Sequence, residues 1–234
     1  MSDSQTDDKS VPWPRVEGWF DHGPLAPELM DALWSRGWRH FGCRFFQYSR
    51  TEMAGSPVHV IPLRVDLSRW RPSKSQSRIL RGNRDLAVSV HRPHPTEEHL
   101  DLFARHTSRF RENVPETLDT FLGTDPGRWR DPGAYPCGCV QLEVRAGQRL
   151  VAVSYLDLGR EAASSVYAFF DPEESRRSPG WLTFLAEIEH ARALGCRYLY
   201  PGYAYLEASA YDYKKRLGAL EAFDWSQWQP WEPS

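Results

Sequence analysis

The stretch Leu150–Tyr200, LVAVSYLDLGREAASSVYAFFDPEESRRSPGWLTFLAEIEHARALGCRYLY, decides the fold. Leu150 to Leu156 and Ser164 to Phe170 are short apolar and aromatic runs of strand length. Ser178-Pro179-Gly180 then opens a helix. Its stripe is Trp181, Phe184, Leu185, Ile188, Ala191 and Leu194, and Gly195 stops it. Arg197 to Tyr200 returns as a strand. Upstream, Val140-Gln-Leu142-Glu-Val144 and the Ala146-Gly147 turn add a hairpin, so residues 139–170 are predicted to form an antiparallel meander. Strands, one strong helix and a returning strand predict an α/β (α+β) fold with a mixed, largely antiparallel sheet.

Working outward, residues 1–24 read as an irregular leader pinned by Trp13, Trp19 and Phe20. Residues 25–125 form an N-terminal region and 126–234 a C-terminal domain, expected to pack tightly, with the Pro- and Gly-rich loop Gly123 to Pro136 as the boundary. The N-terminal region is predicted to hold helices at Pro27 to Arg36, Thr96 to Asn113 and Glu116 to Leu122, and strands at Arg39 to Tyr48, Val58 to Leu67 and Leu86 to Val90. Residues 69–85 carry six basic side chains against one carboxylate, and Ser73 or Ser75 is placed to cap a helix there. A last helix is expected at Ala208 to Leu217.

With 10 Trp, 10 Tyr and 11 Phe in 234 residues, the chain can bury enough apolar surface to offset its entropy, so disorder throughout is excluded. No apolar run nears the ~20 residues of a membrane helix, and the acidic, polar start is unlike a signal peptide, so a cytoplasmic protein with no membrane partner is expected. A net charge of −2 argues against a uniformly basic nucleic-acid binder but leaves local patches open. The four cysteines, Cys43, Cys137, Cys139 and Cys196, lack the spacing of a zinc or iron–sulfur site. His91, His94, His99 and His106 lack further convergent ligands. No metal is expected, nor any cofactor.

Two longer stretches carry a resemblance. Arg64-Val-Asp-Leu-Ser-Arg-Trp-Arg-Pro-Ser73-Lys74-Ser75-Gln76-Ser-Arg78, continuing to Asn83-Arg-Asp85-Leu86, resembles the R-V-x-V-x-x-F-x-P-S-R/K-S-Q-x-R signature of aminoacyl-tRNA–protein transferases, the arginyl and bacterial leucyl enzymes of the N-degron pathway. Ser165-Val-Tyr167-Ala-Phe-Phe-Asp171-Pro172 is similar to that family's S-x-V-Y-x-F-Y-D-P. Tyr198-Leu-Tyr-Pro-Gly202-Tyr203 with Tyr213-Lys214 is similar to its Y-x-Y-L-G-Y and Y-K blocks. The resemblance spans about Pro27 to Trp228. It departs where the family has a Cys-rich segment, because Tyr48 to His59 contains no cysteine, and where Pro179 and Pro201 stand for Leu.

The resemblance implies a GCN5-related N-acyltransferase topology and transfer of Arg or Leu from aminoacyl-tRNA, as co-substrate, to the N-terminal α-amine of an acceptor protein. The ester is already activated, so the reaction needs a neutral amine, an oxyanion stabiliser and a held donor, but no side-chain nucleophile. By this reading the catalytic residues are Asp157, Tyr167, Asp171 and Lys214, with the two aspartates on one rim of the sheet facing the acceptor ammonium. Ser165, Tyr203, Tyr213 and Gln76 contact substrate. Arg71, Lys74, Arg78, Arg81, Arg176 and Arg177 meet tRNA phosphates. Each aspartate reads equally well as a turn cap, Tyr167 as a core residue and the basic block as a solvated helix face. Two rival functions stay open: a coenzyme-A-dependent N-acyltransferase holding pyrophosphate at Ser178-Pro-Gly180, and a non-catalytic relative that binds tRNA or protein N-termini.

Overall fold

The computed structural model describes residues 13–53, 55–111, 114–124 and 127–232. In chain order the elements are β1 Glu17–Asp21, α1 Pro27–Ser35, β2 Arg39–Phe41, β3 Arg44–Tyr48, β4 Arg50–Met53, β5 Ser56–Asp66, α2 Lys74–Gly82, β6 Ala87–His91, α3 Glu97–Thr107, α4 Asp119–Leu122, β7 Gly138–Ala146, β8 Arg149–Leu158, β9 Ala162–Phe170, α5 Pro179–Ala193, β10 Tyr198–Tyr205, β11 Leu220–Phe223 and β12 Trp228–Pro230. The main sheet has the order β12-β11-β5-β10-β9-β8-β7-β6, with β4 paired to β5, and a small sheet has the order β1-β3-β2. Every pairing is antiparallel except β10 on β9. The predicted meander is β7-β8-β9, turning at Gly147 with a positive φ of 60°.

Alternation along β8 sends its side chains to two cores. Leu156, with Leu142, Ile61, Leu63 and Val65, packs under Leu185, Ile188 and Ala191 of α5. Val153 and Tyr155 pack with Phe169 against Leu102 and Phe103 of α3 and Phe121 of α4. A third cluster seats Met30 and Trp34 of α1 on Phe45, Cys137, Ala162 and Tyr200. No described helix is long and apolar enough to cross a membrane.

Two expectations are corrected. Residues 17–21 of the irregular leader form β1, whose Trp19 and Phe20 lie opposite Phe46 and Phe45; most of the rest of that leader lies outside the described residues. The helix expected at Ala208 to Leu217 is a series of turns with only a 3-10 segment at Lys214–Arg216. There Asp212 accepts from the Ser209 N–H and Ser209 Oγ from the Tyr211 N–H, so side chains compete with helix hydrogen bonds.

Candidate active site

β9 and β10 pair in parallel only at Ala162–Tyr198, Ala163–Leu199 and Ser164–Tyr200, and then part. Both strands carry a register shift at the point of parting, β9 against β8 between Tyr155 and Leu156 and β10 against β5 between Leu199 and Gly202. Pro201 contributes by lacking an N–H to continue the ladder. The result is a wedge in the sheet beginning at Ser164 and Tyr200.

Three charged side chains enter it. Arg39, the first residue of β2, is 9% exposed and donates to Ser164 Oγ and to the Ser165 carbonyl oxygen. Lys214, from the 3-10 turn, donates from Nζ to the Tyr203 carbonyl oxygen at 3.1 Å. Glu187, on the buried face of α5, accepts from Ser165 Oγ at 3.3 Å and is 1% exposed. Gly202 makes room for the two cations. Its φ is +93°, and a Cβ there would lie 3.2 Å from Lys214 Nζ and 3.6 Å from Arg39 Nη2.

These charges perturb one another. Burial pushes the Glu187 carboxyl up to about 8, against the opposing pull of Ser154, Ser165, Arg39 and Lys214. Lys214 is half-buried by exposed area, but crowding of its ammonium by protein pushes its pKa down to about 7. The Arg39 charge lowers it further and Glu187 opposes. Near neutral pH the wedge therefore holds a fixed guanidinium, a carboxyl that retains its proton and an amine that readily gives its proton up. That set can accept a proton and stabilise a developing anion.

The wedge wall is aromatic. Tyr203 donates its hydroxyl to the Gly37 carbonyl oxygen at 2.6 Å and meets Tyr48 edge-on at 5.3 Å; Tyr205 meets Tyr211 at 5.6 Å. Tyr213 packs on Trp181 and Phe184. Ser165, Tyr203, Tyr213 and Lys214 are thus brought to one place.

The remaining expected site residues go elsewhere. Asp157 and Asp171 do not share a rim, because β8 and β9 are antiparallel: Asp157 pairs with Ser164 at one end of the hairpin, whereas Asp171 bonds Val151 at the other. Asp157 faces His40 Nε2 at 2.8 Å. Tyr167 stacks on Phe121 with centroids 3.9 Å apart, in the core against α3 and α4. Gln76 is buried and structural. It completes a capping box with Ser73 and donates from Nε2 to the Arg216 and Leu217 carbonyl oxygens, tying the start of α2 to the turn that carries Lys214. Arg71, Lys74, Arg78 and Arg81 are all exposed, the last three spaced along one face of α2. Arg176 is exposed, and Arg177 is held by Asp85 and Glu174.

Asp171 is 1% exposed, pairs with Arg105 at 2.9 Å and Arg149 at 3.1 Å, and caps the turn at Glu173. Burial pushes its carboxyl up, but these donors outweigh burial and hold it below its ordinary 3.8. Its contribution is therefore present above pH 3.8 and lost as pH falls through the lower folded value. Asp171→Asn is expected to cost about 1–2 kcal/mol in urea melts at pH 7 and less at pH 3, with no change in catalytic rate.

Arg39 and Glu187 escape sequence reasoning. Glu187 had a usable signal: a carboxylate three residues after Phe184 and four before Ala191 lies on the apolar stripe of its helix. Arg39 had none, since its partners are about 125 residues away.

Residues 98–224 match the family model described as arginine-tRNA-protein transferase, C terminus. The chain is 35% identical over 173 residues to an aspartate/glutamate leucyltransferase of Saccharophagus degradans, covering 72% of this chain and 70% of the relative. It is 33% identical over 181 residues to the protein of the same name from Xanthomonas euvesicatoria, covering 72% and 68%. Among solved structures, a tandem GNAT protein from the clavulanic acid biosynthesis pathway overlaps 94% of this chain and 64% of its own, at 13% identity and a TM-score of 0.45.

Proposed function

Because the chain belongs to the arginine-tRNA–protein transferase family, a class of aminoacyltransferases, we propose that it moves leucine from leucyl-tRNA onto the α-amine of a protein beginning with Asp or Glu. The observation that carries this reading is the wedge itself, with a low-pKa Lys214 beside the fixed Arg39 under aromatic walls. The acceptor nitrogen attacks the ester carbonyl, forming the N–C bond. Lys214 takes the proton the nitrogen sheds, and the positive field of Arg39 stabilises the oxyanion. The bond to the tRNA 3′ oxygen then breaks, and Lys214 returns the proton to that oxygen.

Charge supports the choice of substrates. The Arg39 guanidinium and an aromatic wall repel an arginyl donor, accept a leucyl side chain and attract an acidic first residue on the acceptor. The coenzyme-A alternative is not favoured. Pro179 has no N–H, and the N–H groups of Ser178, Trp181 and Leu182 already donate to the Ser175 and Ser178 carbonyl oxygens, so that helix start keeps few free donors for a pyrophosphate.

The exposed face of α2 offers a path for the tRNA, because Gln76 couples this helix to the Lys214 turn. Replacing Arg71, Lys74, Arg78 and Arg81 together with Ala is expected to weaken tRNA binding and to flatten its salt dependence by roughly 0.7–0.9 per lost contact. Fluorescence anisotropy across a salt series reads this out, and an unchanged slope argues for a solvated helix. The function itself is tested by offering labelled leucyl- and arginyl-tRNA to peptides beginning with Asp, Glu or Ala. Leucine transfer to the acidic peptides is expected. Inactivity with both donors would favour the binding-only relative.

A further inference from the structure

The buried His40–Asp157 contact is not a finished ion pair. His40 is stacked on Phe45 and its Nδ1 is bonded to the Gly42 carbonyl oxygen at 3.0 Å, so Nδ1 is the nitrogen that carries the proton. Nε2 faces Asp157 Oδ2, 2.8 Å away. Nε2 has no hydrogen-bond partner among the described residues. Both residues are buried.

Sulfur completes the arrangement. Cys137 Sγ, His40 Nε2 and an Asp157 carboxylate oxygen lie within 4.8 Å of one another, and the three residues are 6%, 3% and 3% exposed. Cys139 pairs directly with Asp157 in the β7–β8 register. Cys137 lies one residue ahead of that strand, and the Asp157 carboxylate stands against both thiols. An imidazole with its second nitrogen bonded to a backbone carbonyl is the usual outer support of a metal-bound histidine. Nitrogen, thiolate and carboxylate donors in a closed, buried set suit a tetrahedral zinc-class ion.

We propose that His40 Nε2, Cys137 Sγ and an Asp157 oxygen bind one zinc-class divalent ion, and that Cys139 Sγ, which lies beside Asp157 but outside that set of three, turns in as the fourth ligand. The ion ties β2 to the end of the β7–β8 pair where β7 starts and β8 finishes. Because Arg39 precedes His40 on β2, the same tie holds the guanidinium in the wedge, so the site is structural and acts on transfer only through Arg39. The expectation of no metal came from the spacing of the cysteines and of His91, His94, His99 and His106, which does not register His40 and Asp157 arriving from other strands.

Elemental analysis of protein purified under reducing conditions without chelator should find about one equivalent of zinc. Cobalt substitution should give the thiolate charge-transfer and visible ligand-field bands of a tetrahedral site. Cys137→Ser and His40→Gln should each weaken metal affinity at least about tenfold, while Cys43→Ser leaves it unchanged. Should a variant fail to fold, mass mapping of the wild type decides: zinc should slow thiol modification of Cys137 and Cys139 and leave Cys43 and Cys196 untouched. Absence of metal and of the cobalt bands, a Cys137–Cys139 disulfide in their place, or no thiol protection by zinc would overturn the proposal and leave a plain His–Asp pair.

Discussion

Replacing Lys214 with Met is expected to slow transfer by about 10²–10³, the usual cost of losing one positioned proton acceptor or charge stabiliser. The distinguishing readout is the pH profile of kcat/KM. In the parent, two groups must be deprotonated: Lys214, with its pKa lowered to about 7, and the acceptor α-amine, ordinarily near 7.7–8.0. The logarithm of the rate should then rise with a slope of 2 at low pH. In Lys214→Met the Lys214 step disappears, leaving a slope of 1 from the acceptor alone. A variant that keeps the parent's slope and rate at equal folded fraction places proton transfer elsewhere.

Arg39→Met has the largest expected effect on stability. The guanidinium is buried, and its removal orphans Ser164 Oγ and the Ser165 carbonyl oxygen. Leaving these two buried acceptors unpaired costs about 1–3 kcal/mol each, on the order of 3–5 kcal/mol together. At roughly 2–4 °C per kcal/mol for a chain of this size, Tm should fall by about 6–20 °C. Folded Arg39→Met should also report on the wedge. The Arg39 charge lowers the Lys214 pKa, so its loss moves the Lys214 step in the rate profile to higher pH. A shift to lower pH, or a loss of stability under 1 kcal/mol, contradicts the geometry described.

What could be read from the sequence was local. The meander, the α5 stripe and the cap at Ser73 all rest on contacts within a few residues or across a tight turn. What escaped was non-local. β5 sits between β10 and β11, which places a strand from the first part of the chain inside the sheet, and nothing in the pattern of Val58 to Leu67 names those neighbours. The wedge depends on β10 continuing past Pro201-Gly202, a dipeptide that reads as a strand end. Lys214 and Ser165 were legible through motif resemblance. Asp157 and Asp171 were misplaced together because a hairpin carries its two ends to opposite rims.

The central claim is that Lys214 in the β9–β10 wedge is a readily deprotonated amine at the aminoacyl site. Its direct test is amine-selective acylation at pH 7 followed by mass mapping, with and without 3′-leucylamido-3′-deoxyadenosine, an amide mimic of the charged tRNA end. The predicted result is that Lys214 reacts ahead of the exposed Lys74 and that the mimic protects Lys214 alone. Labelling of Lys214 no faster than Lys74, or labelling unaffected by the mimic, would contradict the account.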